Sequence, residues 1–428
     1  MRQYFFKVCS AFCLGLVCAL NSYAETVDHI LIVGHQKTRT AIIEQEMQLV
    51  VGDEISDEAL EHSRQAVMDL GLFQKVSIRV DHQEDESVVV VDVKEKKHDW
   101  YILPRIERNG EGDITLGINW RESNLNGLNQ TSRFTLAHKK FDDAGKDTQH
   151  RLSWKFVYPR IVNTQFSTYA FANISQVGLK ETRDELTGEY HRKAFTAGLG
   201  LGRWFARSGA SKGLHIDLGI EFNQFEHEHL NGQADYYDDA SFVSFISTLS
   251  FNQVQDALFS RSGYSMGFRL QKAREQWGSD RPFFYKQAYY KYYRPLAFRE
   301  HTNLNFQVQM GSGDHSFFGE PIYELSGDRS LRGYPRETLE GDAYFLVNTE
   351  FLTPIFSKKN IRAAVLFDFG NAYNSLSEIK NTDLEYSVGV GLRWKFKQWV
   401  GTELRIDYAR GLGDLGVSRL YVSSEATF

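Results

Sequence analysis

His227-Glu228-His229 puts two imidazoles on the same side of an extended segment, a spacing that could clamp a metal ion or share a proton. The next three residues, Leu230-Asn231-Gly232, read as the end of that segment, so a solvated loop is the expected setting. All three cysteines (Cys9, Cys13, Cys18) fall within the first 24 residues, so residues 25–428 offer no thiol nucleophile, thiolate metal site or disulfide. No serine, histidine and aspartate sit at a turn of the kind nucleophilic hydrolases use. Neither an enzyme, a bound metal nor a cofactor is expected. The residues that remain are in the connection from Gly311 to Gly341, which contains Glu324-Leu325-Ser326-Gly327-Asp328-Arg329-Ser330-Leu331-Arg332-Gly333-Tyr334. Connections of this length are uncommon and usually functional.

Those residues need elements to hold them. From about Trp100 onward the apolar residues recur at every second position. Leu304, Phe306, Val308 and Met310 alternate with Asn303, Asn305, Gln307 and Gln309; Val388 to Phe396 alternate with Gly389, Gly391, Arg393 and Lys395; Leu404, Ile406 and Tyr408 alternate with Glu403, Arg405 and Asp407. A strand sends alternate side chains to opposite faces. One face is therefore apolar and aromatic, the other charged or small. About sixteen such segments, most long enough to cross a bilayer when tilted, predict an all-β transmembrane barrel of antiparallel strands with its apolar face toward lipid. The polar parity places Asp368 and Glu350 inward, between Phe367 and Phe369 and beside Phe351. Phe428 ends the chain inside the last strand, which should close against the first, near Trp100 to Glu107.

Residues 25–97 follow a different pattern, a small α+β unit in the order βααββ. A strand at Val27 to Gly34 precedes helices at Thr40 to Leu49 and Asp57 to Leu70, and Gly71-Leu72-Phe73 breaks the second. Strands at Lys75 to Asp81 and Val88 to Val93 complete it, joined by a turn at Glu84-Asp85-Glu86. Before this unit, Arg2 and Lys7, the apolar run from Phe5 to Leu20 and the Ser22-Tyr23-Ala24 ending have the parts of a secretory signal peptide, residues 1–24. Without Arg2 and Lys7 the net charge of −6 becomes −8, which gives no support to nucleic-acid binding. The mean hydropathy of −0.41 is too polar for a helical membrane protein.

Leu331-Arg332-Gly333-Tyr334, followed by Gly341-Asp342, Glu350 and Phe367-Asp368-Phe369-Gly370-Asn371, resembles the BamA/TamA family of outer-membrane assembly and translocation proteins. Residues 25–97 resemble one POTRA domain, the periplasmic module of that family, and residues 98–428 its barrel. The resemblance implies that loop 311–341 folds back into the lumen and that Arg332 pairs with Asp368, with Glu350 as a second partner. Gly333 would give close backbone approach, and Tyr334 would pack on the lumen wall. It further implies unfolded outer-membrane or secreted client proteins as partners. These would be received by strand addition along the POTRA edge Lys75, Val76, Ser77, Ile78, Arg79 and Val80, with periplasmic accessory proteins, the lipid bilayer and lipopolysaccharide as surroundings. Tyr421 and Phe428 match the family's C-terminal barrel signal; Ser423 and Ala426 depart from it, and a single POTRA is fewer than the family's principal members carry.

Overall fold

A computed structural model describes residues 25–424 apart from 84–85, 144, 184–185, 233–236, 257–258, 316, 319, 329, 356–357, 382–383 and 396–402. The expected signal peptide, the cysteines, Arg329 and Phe428 lie outside the described residues. The N-terminal unit consists of β1 (His29–Val33), α1 (Thr40–Glu44), α2 (Asp57–Met68), β2 (Phe73–Gln83) and β3 (Glu86–Glu95). The sheet order is β1-β3-β2, with β1 parallel and β2 antiparallel to β3. Being central explains why β3 carries an unbroken valine run: Val88 to Val91 and Val93 are all buried. α2 starts where Ser56 accepts a hydrogen bond from the Ala59 amide, and it ends at Gly71, whose φ of 72° suits a left-handed exit.

The first helix is shorter than its periodicity predicts. The Gln45 carbonyl accepts from Arg160 instead of from the Leu49 amide, which donates to Ser63 Oγ at 3.1 Å. Glu46, buried, is held by Arg207 at 2.6 Å and Arg160 at 3.4 Å. Both arginines belong to the barrel, so docking between the two parts sets the helix end. Further contacts fix this docking. Arg39 N–H donates to the Gly127 carbonyl at 3.0 Å, Asn124 Nδ2 to Thr38 Oγ1 at 2.9 Å, and Lys212 pairs with Asp69. Leu128, Val162 and Ala210 from barrel turns pack against the N-terminal core.

The barrel is closed and antiparallel, with sixteen strands among the described residues, each paired with its sequence neighbour. The first is Trp100–Arg108 and the last Ser418–Ser423. Its outer face is apolar: Leu116, Leu199 and Val390 are more than half exposed. No helix of the described residues is long and apolar enough to cross a membrane. Phe166–Arg183, Leu186–Gly209 and Lys212–Gly232 have 18, 24 and 21 residues. These exceed the ~9–11 a bilayer needs, and they project beyond it. The Lys358-Lys359-Asn360 stretch belongs to strand Lys358–Tyr373.

Candidate functional site

Loop 311–341 leaves the eleventh barrel strand (Thr302–Ser312) and returns at Ala343. It folds on itself, pairing Tyr323-Glu324 with Glu340-Gly341. Leu325, Leu331, Tyr334 and Leu339 form a small core against the inward-facing Tyr344 and Leu346. This packing carries the tip, residues 330–334, down into the lumen.

There Arg332, 1% exposed, meets Asp368 in a two-pronged contact, Nε–Oδ2 2.6 Å and Nη2–Oδ1 2.5 Å. This geometry uses the planar guanidinium fork and a point charge could not reproduce it. Glu350 Oε1 lies 3.4 Å from Arg332 Nη1. The cluster is larger than sequence parity indicates. Asp407 Oδ2 is 3.3 Å from Arg332, Asp407 Oδ1 is 2.5 Å from Arg393, Arg393 reaches Glu350 at 2.7 Å, and Arg405 pairs with Asp407. Three arginines therefore face three carboxylates in a buried group with no net charge. Asn348 Nδ2 bridges Asp368 Oδ1 (2.9 Å) and the Ser330 carbonyl (2.8 Å), and Arg405 donates to the Asp328 carbonyl at 3.0 Å. Loop backbone and lumen wall are thus joined at several points.

Gly333 has φ 82°, and a Cβ there would lie 2.2 Å from the Gly411 nitrogen. Its amide donates to the Tyr421 hydroxyl at 2.8 Å, and its carbonyl accepts from Val417 N at 2.8 Å. Tyr421, read from sequence as part of a C-terminal signal, has its hydroxyl in this lumen site. Tyr334 is buried, its hydroxyl 2.8 Å from both Glu385 Oε2 and the Tyr386 carbonyl. Gly333→Ala should therefore lower barrel stability by more than about 1 kcal/mol, because a side chain is both strained and blocked there. Urea unfolding of the reconstituted protein, with trypsin access to Arg332 and Arg336 as a second readout, measures this.

The loop's other limbs are also held. Arg336 pairs with Asp113 and donates its amide to Glu111 at 3.0 Å, tying the returning limb to the first hairpin. Phe317 stacks near Phe242 (4.2 Å), and Phe318 meets His227 edge-on at 4.8 Å. His227 also stacks on Tyr237 and accepts from Arg192 Nε at 2.8 Å. The histidine pair is thus not in a solvated loop. It lies within a strand that runs to Gly232, and no metal-binding cluster occurs among the described residues.

Ser167, His215 and Asp217 form a hydrogen-bonded chain that sequence order conceals: Oγ to Nε2 2.8 Å and Nδ1 to Oδ2 2.8 Å. They are register partners of Gly202 or its neighbours and converge over Gly202, where a Cβ would sit 2.4–2.5 Å from all three. Acyl transfer also needs donors aimed at an oxyanion. The backbones of these strands are committed to ladder pairing, and Ser167 is 6% exposed beneath Trp204, whose ring is 4.3 Å from the imidazole. The chain links strands Phe166–Arg183 and Lys212–Gly232 across the intervening Leu186–Gly209 on the lumen wall.

Among the described residues the last strand meets the first along a short seam. Val422 pairs with Arg108 and Ser423 with Glu107, two register positions among the described residues, against nine between the first strand and the second. Ile106 N–H points across the seam to Ser424 Oγ at 3.4 Å. Positions two apart in a strand direct their backbone to the same edge, so Pro104 stands on that edge with no N–H to give. In the N-terminal unit, β2 has β3 on one side and no strand on the other among the described residues. Lys75 and Arg79 are exposed on it, while Val76 turns into the core.

Residues 124–413 match the family model described as the Omp85 superfamily domain, and residues 25–96 match the POTRA model described as surface antigen variable number repeat. Three solved structures show the same fold. BamA from Haemophilus ducreyi lacking POTRA domains 1–3 is 16% identical with a TM-score of 0.57, covering 93% of this chain and 84% of that one. CdiB from Acinetobacter baumannii is 14% identical with a TM-score of 0.63, covering 94% and 73%. CdiB from Escherichia coli is 12% identical with a TM-score of 0.69, covering 94% and 76%. No curated protein sequence matches the chain.

Proposed function

Since the chain belongs to the Omp85 superfamily of bacterial outer-membrane proteins, we propose that it is a non-enzymatic factor that inserts client proteins into that membrane. The POTRA lies in the periplasm and receives an unfolded client on the open edge of β2, from Lys75 to Val80. The client then adds its strands at the barrel seam. The observation that carries this reading is the seam edged by Pro104, which among the described residues holds two register positions. Unpaired backbone groups are costly in lipid and attract an incoming strand. The loop anchored by Arg332 holds the strands beside the seam, through Tyr421 on the last strand and Glu111 at the first hairpin.

A second reading, passage of one exported protein through the lumen, is favoured by a cavity of about 660 Å³ on the barrel's inner wall. Arg133, Lys155 and Arg269 line it together with Tyr169 and Asp217. Photocrosslinkers at Lys75, Ser77 or Arg79, followed by mass spectrometry of native envelopes, separate the two. Adducts to many different outer-membrane barrels are the expected result. Adducts to a single exported protein would favour the lumen route, and adducts to neither would leave a passive pore. Accessory periplasmic proteins would appear in the same spectra.

A further inference from the structure

Where the POTRA meets the outer wall of the barrel there is an open cleft of about 680 Å³. On the POTRA side its lining includes Glu44 and Val50; on the barrel side, Asn163, Phe166 and Arg203. Val50 and Val51 form the tip of a tight turn. Asp53 N–H donates to the Val50 carbonyl at 3.1 Å, Val50 N–H donates to Asp53 Oδ2 at 2.9 Å, and Gly52 has φ 95°. The two valines are 56% and 61% exposed, on a domain whose other apolar residues are largely internal. A rigid turn that presents two adjacent valines to water is unfavourable unless another apolar phase takes them up.

That phase is adjacent. Arg203 follows Leu199 and Leu201 on the lipid-facing side of its strand, and Phe205 comes next, 56% exposed. The Arg203 guanidinium lies over two rings, 5.8 Å from the centre of Phe166 and 5.2 Å from that of Phe205. It has no ion pair among the described residues and is exposed. Aromatic rings with an arginine over them, at the end of an apolar band, mark the height where hydrocarbon gives way to headgroups. Arginine at this height keeps its stem in the apolar layer and its charge among phosphates.

We infer that this cleft is a phospholipid site of the periplasmic leaflet: the phosphate sits on Arg203, the acyl chains run along Phe166 and Phe205, and the Val50-Val51 turn dips into the same leaflet. Glu44 on the facing wall suits the ammonium of a zwitterionic headgroup, so phosphatidylethanolamine is the better match than an anionic lipid. The lipid then acts as a further contact between POTRA and barrel, continuous with the barrel's lipid-facing band. The inference rests on the reading that the barrel spans the outer membrane.

Residues 25–428 contain no cysteine, so single labels are unambiguous. Residues 25–428 carrying Val51→Cys with an environment-sensitive fluorophore are reconstituted into vesicles, with Leu199→Cys and Arg79→Cys as separate controls. Brominated phosphatidylethanolamine is placed in a phosphatidylglycerol host, or the reverse. The expected result is strong quenching at positions 51 and 199 and none at 79. Brominated phosphatidylethanolamine should quench position 51 beyond its share of the bilayer, and Arg203→Gln should return that quenching to the bulk share. An unquenched label at 199 would mean that the barrel reading itself has failed. Quenching at 199 without quenching at 51 would overturn the lipid cleft alone. Quenching at 51 that ignores Arg203→Gln, or that prefers phosphatidylglycerol, would overturn the headgroup assignment.

Discussion

Asp368→Ala should destabilise the folded barrel by about 3 kcal/mol and free the loop tip from the lumen, the low end of the range for breaking a buried ion pair. The reason is the charge count of the cluster. With Asp368 present, Arg332, Arg393 and Arg405 face Glu350, Asp368 and Asp407, all 3% exposed or less. Without it, three arginines share two carboxylates, and Arg332 loses both of its shortest contacts. Glu350 and Asp407 remain within 3.4 Å of Arg332 and soften the loss, but each already serves Arg393. Asn348 and Ser387 also lose an acceptor. Arg332→Ala/Asp368→Ala should cost less than the sum of the two single changes, since neither partner is then left alone. Urea unfolding of the four proteins in one lipid gives the coupling. If Asp368→Ala falls within about 0.5 kcal/mol of the parent, the usual span of uninvolved surface changes, the lumen cluster does not hold the loop.

The barrel was readable because alternation is local. Val388 to Lys395 and Glu403 to Tyr408 declare two faces without reference to any other strand, and the same parity turns Asp368 and Glu350 inward. The cluster beyond them was not readable, although Arg393, Arg405 and Asp407 have the same inward parity. Which inward charges meet depends on strand register and on how deep the loop descends, and neither is written in any single segment. Tyr421 shows the same limit. Its place in the last strand is evident from sequence, but its bond to Gly333 spans 88 positions. Asn231-Gly232 looks like an ending, so the sequence predicts a loop at His227. The strand continues past the histidine, where Phe318 and Tyr237 pack on it from distant segments. The shortened α1 is likewise a product of docking, since Arg160 and Arg207 are remote from it in sequence.

Joining the seam covalently should stop client insertion while leaving the fold intact. Glu107 and Ser423 are direct register partners at the seam. Directly opposed residues in antiparallel strands have Cα atoms about 4.5–5.5 Å apart, within the range a disulfide spans. Glu107→Cys/Ser423→Cys should therefore cross-link on oxidation, with no competing thiol in residues 25–428. If clients add strands at this edge, the oxidised protein loses insertion activity in a reconstituted assay and reductant restores it. A single Glu107→Cys, treated the same way, controls for loss of the Arg105–Glu107 pair at 3.0 Å. The lumen route makes the opposite forecast. A locked seam would leave transport unchanged, and removing the loop from Gly311 to Gly341 would raise ion conductance sharply instead. The structure gives the first outcome its physical basis. Among the described residues two register positions join the seam, and parting them frees the edge of Trp100–Arg108, where Pro104 has no N–H, for an incoming strand.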